Sequence, residues 1–153
     1  MIFYRRLLNS EIYKGYQQRY NNLRLQEVRM YPAQLKYSTE HNWLKIEEDN
    51  RAKIGITHYY QEQLRKIVFI ELPKAGAVVC RDGVFGVIES SKATSDLYSP
   101  VSGTVIKVNN LLKSKPGLIN SDSYGKGWMF VIELDNTDEL ESLLSADEYV
   151  DLL

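Results

Sequence analysis

Short apolar runs cut by frequent chain breakers dominate the middle of this sequence. Strand-like runs at residues 67–72, 77–80, 84–89, 104–108 and 129–134 are separated by Pro73, Gly76, Asp82-Gly83, Pro100, Gly103, Pro116-Gly117, Gly125 and Gly127. Many short strands punctuated at close intervals favour a sandwich or barrel over alternating βαβ units.

The flanks of this region add detail. Residues 43–47 and 52–56 alternate apolar and polar side chains around Glu48-Asp49-Asn50-Arg51, which predicts a hairpin. Thr57 is placed to cap a short helix over 58–66, with Tyr60 and Leu64 on one face. Thr137 is expected to cap a helical turn holding Asp138, Glu139 and Glu141. Ser145 and Glu148 form an S-x-x-E capping box, opening a last helix with Tyr149 and Leu152 facing inward.

Charge divides the chain. Residues 1–36 carry seven Lys/Arg against Glu11 and Glu27, a balance of +5, while residues 37–153 hold twelve Lys/Arg against eighteen Asp/Glu, a balance of −6. An acidic body repels phosphate backbones, which argues against nucleic-acid binding. No apolar run approaches the ~18 residues of a membrane span. The basic N-terminal stretch places Ile2, Phe3, Leu7, Leu8, Ile12, Tyr16, Tyr20 and Leu23 at loosely helical spacing. That composition fits an organellar transit peptide or a basic extension over 1–34, with Pro32 near its boundary.

Chemistry-bearing residues are few. Cys80 is the single cysteine and His41 and His58 are the two histidines, so a multi-cysteine or histidine-rich metal site is excluded. Cys80 lies in an apolar run and reads as a small core residue. Glycine-rich phosphate loops and a G-x-S-x-G nucleophile elbow are absent. Lys92 stands out, set among Ser90, Ser91, Ala93, Thr94 and Ser95 at a bend between two apolar runs. A Schiff-base lysine needs desolvation or a neighbouring cation. Small hydroxyl residues and Asp96 offer neither, so Lys92 reads as an exposed turn lysine or as the acceptor of a modification made by another enzyme.

The segments 35-LKYSTEHNWLKIE, 54-IGIT, 67-IVFIELPKAGAVV, 85-FGVIESSKATSDLYSPVSG, 115-KPGLINSDSYGKGWM and 138-DELESLLSADEY resemble, in collinear order, the H protein of the glycine cleavage system. The resemblance implies a lipoyl carrier with lipoic acid in amide linkage to Lys92. It also implies that the attaching ligase or transferase reads Glu89 and Gly103, three residues before and eleven after the lysine. The implied fold is mainly β, a flattened barrel or sandwich of two antiparallel sheets with a short internal helix. Residues 35–136 would form the carrier domain and 137–153 C-terminal helices packed on it. The implied partners are a pyridoxal-phosphate glycine decarboxylase, a tetrahydrofolate-dependent aminomethyltransferase and dihydrolipoamide dehydrogenase. The carrier would be a monomer that catalyses no step itself and needs no metal. Its expected place is the mitochondrial matrix, or the cytoplasm if residues 1–34 are not a leader.

Departures from the family pattern are local. The family usually has His-Glu-Trp where this chain has His41-Asn42-Trp43, and that glutamate helps hold the amine-bearing arm. His41, Asn42 and Asp96 are therefore the expected contacts of the loaded arm, with Asn42 unable to form an ion pair. Arg65-Lys66 stands where the family generally has glycine followed by an acid, and Ser91 where valine is common. An alternative reading is a lipoyl relay that supplies other lipoyl enzymes. A biotin carrier would want Met on each side of the lysine, in place of Ser91 and Ala93.

Overall fold

The computed structural model describes residues 11–153, so the expectations for residues 1–10 lie outside the described residues. Among the described residues nine strands form two antiparallel sheets. In chain order the strands are β1 (Lys36–Tyr37), β2 (Asn42–Glu47), β3 (Arg51–Ile56), β4 (Ile67–Glu71), β5 (Val78–Val79), β6 (Val84–Ser90), β7 (Thr94–Tyr98), β8 (Gly103–Val108) and β9 (Phe130–Leu134). The larger sheet runs β1-β2-β3-β9-β8-β5 and the smaller β4-β6-β7. The strands do not close into a barrel, and the sandwich form of the expected architecture is the one observed.

Helices attach at the ends and in the connections: α1 (Glu11–Arg29), α2 (His58–Leu64), α3 (Leu111–Ser114), α4 (Leu118–Ser121) and α5 (Ala146–Leu152). A 3-10 turn spans Thr137–Ser142.

Local chemistry explains the turns. Asp49 and Asn50 take φ of 59° and 57° between β2 and β3. Asp and Asn tolerate the left-handed region better than most residues, which lets this hairpin close without glycine. The Thr57 side chain accepts from Tyr60 N and starts α2, and the Ser145–Glu148 capping box is formed at α5. The 3-10 turn is capped one residue earlier than expected: Asn136 accepts from Asp138 N. An Asx side chain bonding two residues ahead competes well with a threonine hydroxyl.

Two apolar clusters form the interior. The main one fills the space between the sheets with Leu44, Ile54, Val105 and Ile132 from one side and Ile70, Ile88 and Leu97 from the other. Phe85 of β6 meets Phe130 of β9 edge to face, with ring centroids 4.9 Å apart. The second cluster joins Tyr31, Leu35, Tyr37, Trp43, Tyr149 and Val150, seating α5 against β1 and β2. Tyr37 and Leu144 exchange backbone hydrogen bonds at 2.9 and 2.7 Å, so the C-terminal segment adds a rung beside β1.

Two further expectations are corrected. Cys80 is exposed rather than in the core. Its neighbour Val79 is the buried member of β5, and strand alternation turns the next side chain outward. Leu152 is likewise exposed, while Tyr149 and Val150 carry the inner face of α5. Ile12, Tyr16, Tyr20 and Leu23 of α1 are exposed. That helix is tied to α5 by an ion pair between Arg24 and Asp151.

Candidate functional site

Lys92 lies exposed at the tip of the β6–β7 hairpin. Ser90 builds the tip. Its N–H donates to Ala93 O at 2.8 Å, and its Oγ accepts from Lys92 N at 3.2 Å and from Ala93 N at 3.1 Å. The hairpin also leans on the rest of the protein, because Ser91 N donates to Lys66 O at 2.8 Å. These bonds fix the backbone on either side of the lysine while leaving its side chain in solvent. The Lys92 Nζ makes one long contact, 3.5 Å to Gln63 O in α2.

The segment under the tip is itself pinned. Arg65 caps α2 with φ 69° and ψ −151°, a conformation that suits glycine. Asn120 of α4 holds it there. Its Nδ2 donates to Arg65 O at 2.8 Å and to Gln61 Oε1 at 2.9 Å, and its Oδ1 accepts from Ile67 N at 2.9 Å. Gln61, Glu62, Arg65, Lys66, Gly117 and Asn120 line an open cleft of about 510 Å³ beside this support.

The other sequence-derived candidates fall in different settings. Glu89 is exposed on β6, opposite Thr94 and Phe69 in the register. Asp96 is exposed on β7, opposite Val87. Gly103 is buried, and a Cβ there would lie 2.0 Å from the carbonyl oxygen of Glu133 on β9. Close strand packing is therefore a sufficient physical reason for glycine at this position.

His41 and Asn42 are adjacent in sequence but placed differently. Asn42 is 1% exposed, with its Oδ1 accepting from Ser38 Oγ at 2.9 Å and its N–H donating to the same oxygen at 3.1 Å. Its amide is thus used inside the fold. His41 has φ 66° and is half-buried. Its ring packs on Tyr59 and Tyr60, with centroids 4.9 and 5.6 Å away. Its Nδ1 is 2.7 Å from the Tyr149 hydroxyl, which is 2.8 Å from Thr57 Oγ1. Burial lowers the His41 pKa below the usual imidazole range, and the charge of Glu40 opposes that shift.

Glu40 was not singled out by sequence reasoning. It is exposed next to His41, and burial raises the Tyr60 pKa, with Glu40 and Asp96 both adding to that rise. Ser95 of β7 opposes that rise. The loop before β2, the first turns of α2 and strand β7 thus converge on one surface, and two carboxylates flank it. A carboxylate two residues before Asn42 was the available signal.

Among the described residues no three His, Cys, Asp or Glu side chains group as a metal site. Chemically this arrangement offers a primary amine on a fixed hairpin, held by no carboxylate among the described residues, with two anions on a nearby surface. An amine so displayed fits acylation by another protein.

Comparison with known proteins bears on the same region. The family model described as "Glycine cleavage H-protein" matches residues 35–153. A glycine cleavage system H protein from Carboxydothermus hydrogenoformans is 51% identical over 122 residues, covering 80% of this chain and 93% of that one. One from Psychrobacter sp. (strain PRwf-1) is 48% identical over 118 residues, covering 77% and 94%. The crystal structure of a glycine cleavage system H protein from Mycobacterium marinum superposes with a TM-score of 0.73 at 33% identity, covering 78% of this chain and 96% of that chain. These relatives are bacterial, and residues 1–34 lie outside the span matched by the family model.

Proposed function

This chain belongs to the glycine cleavage H-protein family, and on that premise we propose that it is a lipoyl carrier with Lys92 as its attachment point. The observation that carries the reading is the Lys92 hairpin: backbone fixed through Ser90 and Lys66, amine exposed and unpaired with any acid among the described residues. A lipoyl group there supplies a disulfide that accepts the transferred group and its electrons. The protein supplies address and orientation, since a tethered cargo meets each partner at high effective concentration.

The carrier unit is residues 35–153, and the basic stretch 1–34 reads as a leader to a mitochondrial matrix or as an extension kept on the mature protein. The partners are those of glycine cleavage: the pyridoxal-phosphate decarboxylase, the tetrahydrofolate-dependent aminomethyltransferase and dihydrolipoamide dehydrogenase. A lipoyl ligase or transferase loads Lys92, with Glu89 as an exposed acid within its reach. Asp96 and Glu40 are the anions positioned to meet the amine of the loaded arm, with His41 shaping the wall between them. Asn42 acts through the fold, by fixing the loop that carries His41 and Glu40.

Intact mass of the protein purified from its own cells, with the modified residue mapped, tests the attachment. A lipoyl increment on Lys92 is expected, and an unmodified Lys92 overturns the reading. N-terminal sequencing of the same material locates the mature start. Glycine decarboxylation reconstituted with the lipoylated chain tests the pathway, and a loaded protein that accepts no aminomethyl group is a relay instead.

A further inference from the structure

The smaller sheet has an outer face that nothing covers among the described residues. The register places Phe69, Glu89 and Thr94 in one row and Glu71, Val87 and Asp96 in the next. Alternation points all six away from the core, where Ile70, Ile88 and Leu97 lie. Val84 and Tyr98, paired across β6 and β7, extend the apolar stripe. Phe69 is 47% exposed, Val84 53% and Tyr98 37%.

Charge within the three strands has one sign, with Lys74 and Lys113 lining the cleft beside Phe69 and Glu71 at the β4 edge. The three strands contain Glu71, Glu89 and Asp96 and no lysine, arginine or histidine. None of the three acids joins an ion pair among the described residues. An apolar stripe edged by uncompensated carboxylates matches the composition of a transient protein-docking surface. Lys92 ends the same hairpin, so the face begins at Glu89, three residues and about 10 Å of backbone from the Lys92 Cα.

We propose that this outer face of β4, β6 and β7, centred on Phe69 and Val87, docks the enzyme that acylates Lys92, through lysines or arginines set around an apolar pocket. The inference rests on reading Lys92 as the attachment point. Distance selects this partner over the others. Before acylation no arm exists, so the attaching enzyme has to bring its active site to the ε-amine and must touch the protein around the hairpin. Partners that act later are served by an arm on the order of 14 Å long and are freer in their contacts. A second copy of this chain is disfavoured, since a twofold interface would set the same three acids against each other.

The step itself is balanced by an acyl donor, a mixed anhydride or thioester of lipoic acid. The free Lys92 amine attacks the acyl carbon and the amide C–N bond forms. The bond to the activating group breaks, and one proton leaves the nitrogen.

The test uses the full unlipoylated chain, a lipoate ligase, ATP and lipoate, with initial rates read by intact mass. Phe69→Ser and the double variant Glu71→Lys/Asp96→Lys are expected to raise KM for the carrier about tenfold with kcat within about twofold. The wild-type advantage over the charge-reversed variant should shrink between about 50 and 500 mM salt. Val78→Ser, an equally apolar change on the exposed β5, should behave as wild type. Far-UV spectra and urea midpoints confirm that each variant is folded. An acylated wild type with unchanged KM in both face variants overturns the docking face alone, as does a wild-type dimer that Phe69→Ser dissociates. A wild type that takes no lipoyl group overturns the attachment reading and this one together.

Discussion

The Asn120 Nδ2 group donates to the Arg65 carbonyl at 2.8 Å and so clamps a backbone that only glycine adopts without strain. A non-glycine residue in such a region costs on the order of 1–3 kcal/mol. Arg65→Gly relieves it and should raise stability by about 1 kcal/mol, the gain being reduced by the entropy of glycine in the unfolded chain. Asn120→Ala should do the opposite, costing about 1–3 kcal/mol by leaving the Ile67 N–H and two other groups unsatisfied. Urea unfolding of the two variants against wild type checks both signs.

Tyr149 links α5 to His41 and Thr57 through one hydroxyl. Tyr149→Phe keeps the ring and removes the bridge, with an expected loss of about 1–2 kcal/mol in urea unfolding.

The same histidine makes stability depend on pH. Burial lowers its folded pKa, so the neutral ring is favoured in the fold and the unfolded chain binds the proton first. Its contribution is complete above the ordinary imidazole value of about 6.5 and is lost as pH falls from there toward the lower folded value. His41→Asn retains a residue that tolerates the positive φ. Unfolding midpoints measured from pH 7.5 to about pH 5 should therefore fall more steeply for wild type than for this variant.

Gly103 and Gly86 report on strand packing. Alanine at either would place a Cβ 2.0 Å from Glu133 O or 2.1 Å from Glu71 O. Each substitution should cost about 3 kcal/mol or more, read as a lowered urea midpoint. For Gly103→Ala, weak acylation of Lys92 should follow the fraction unfolded, and recovery under stabilising osmolyte distinguishes packing from direct recognition.

Glu40 and Asp96 carry the charge on the surface beside Tyr60. Exchanging both for their amides should leave Lys92 acylation by the ligase within a few fold when carrier is saturating, yet speed ammonia loss from the cargo-loaded carrier about tenfold, because the ammonium loses two charge-assisted contacts. Asn42→Asp should instead destabilise, since it buries a carboxylate that holds one Ser38 hydroxyl.

The breakers and alternation make seven of the nine strands legible but not β1 or β7, which are too polar to stand out, and Thr57 and the Ser145–Glu148 box mark their helices through local chemistry alone. Lys92 is legible for the same local reason: its neighbours are small and the apolar runs stop around it. What escapes the sequence depends on distant partners. Asn42 looks like a surface contact because Ser38, which buries its amide, is one of many serines that could have pointed elsewhere. Cys80 sits in an apolar run whose inward phase only the pairing of β5 with β8 fixes. The strain at Arg65 has no local signature beyond the absence of glycine, and its clamp lies 55 residues away.

The bridge between His41 and Tyr149 joins residues 108 positions apart. During synthesis the Lys92 hairpin, built from neighbours, emerges and closes while Tyr149 is still unmade. The wall beside it is finished only when the last helix is released and swings in beside β1. On the carrier reading, a chain cut short before residue 149 would present Lys92 to an acylating enzyme without the surface proposed to meet its cargo. Loading and safekeeping would then depend on different stretches of the polypeptide, with the second waiting on the C-terminal turns.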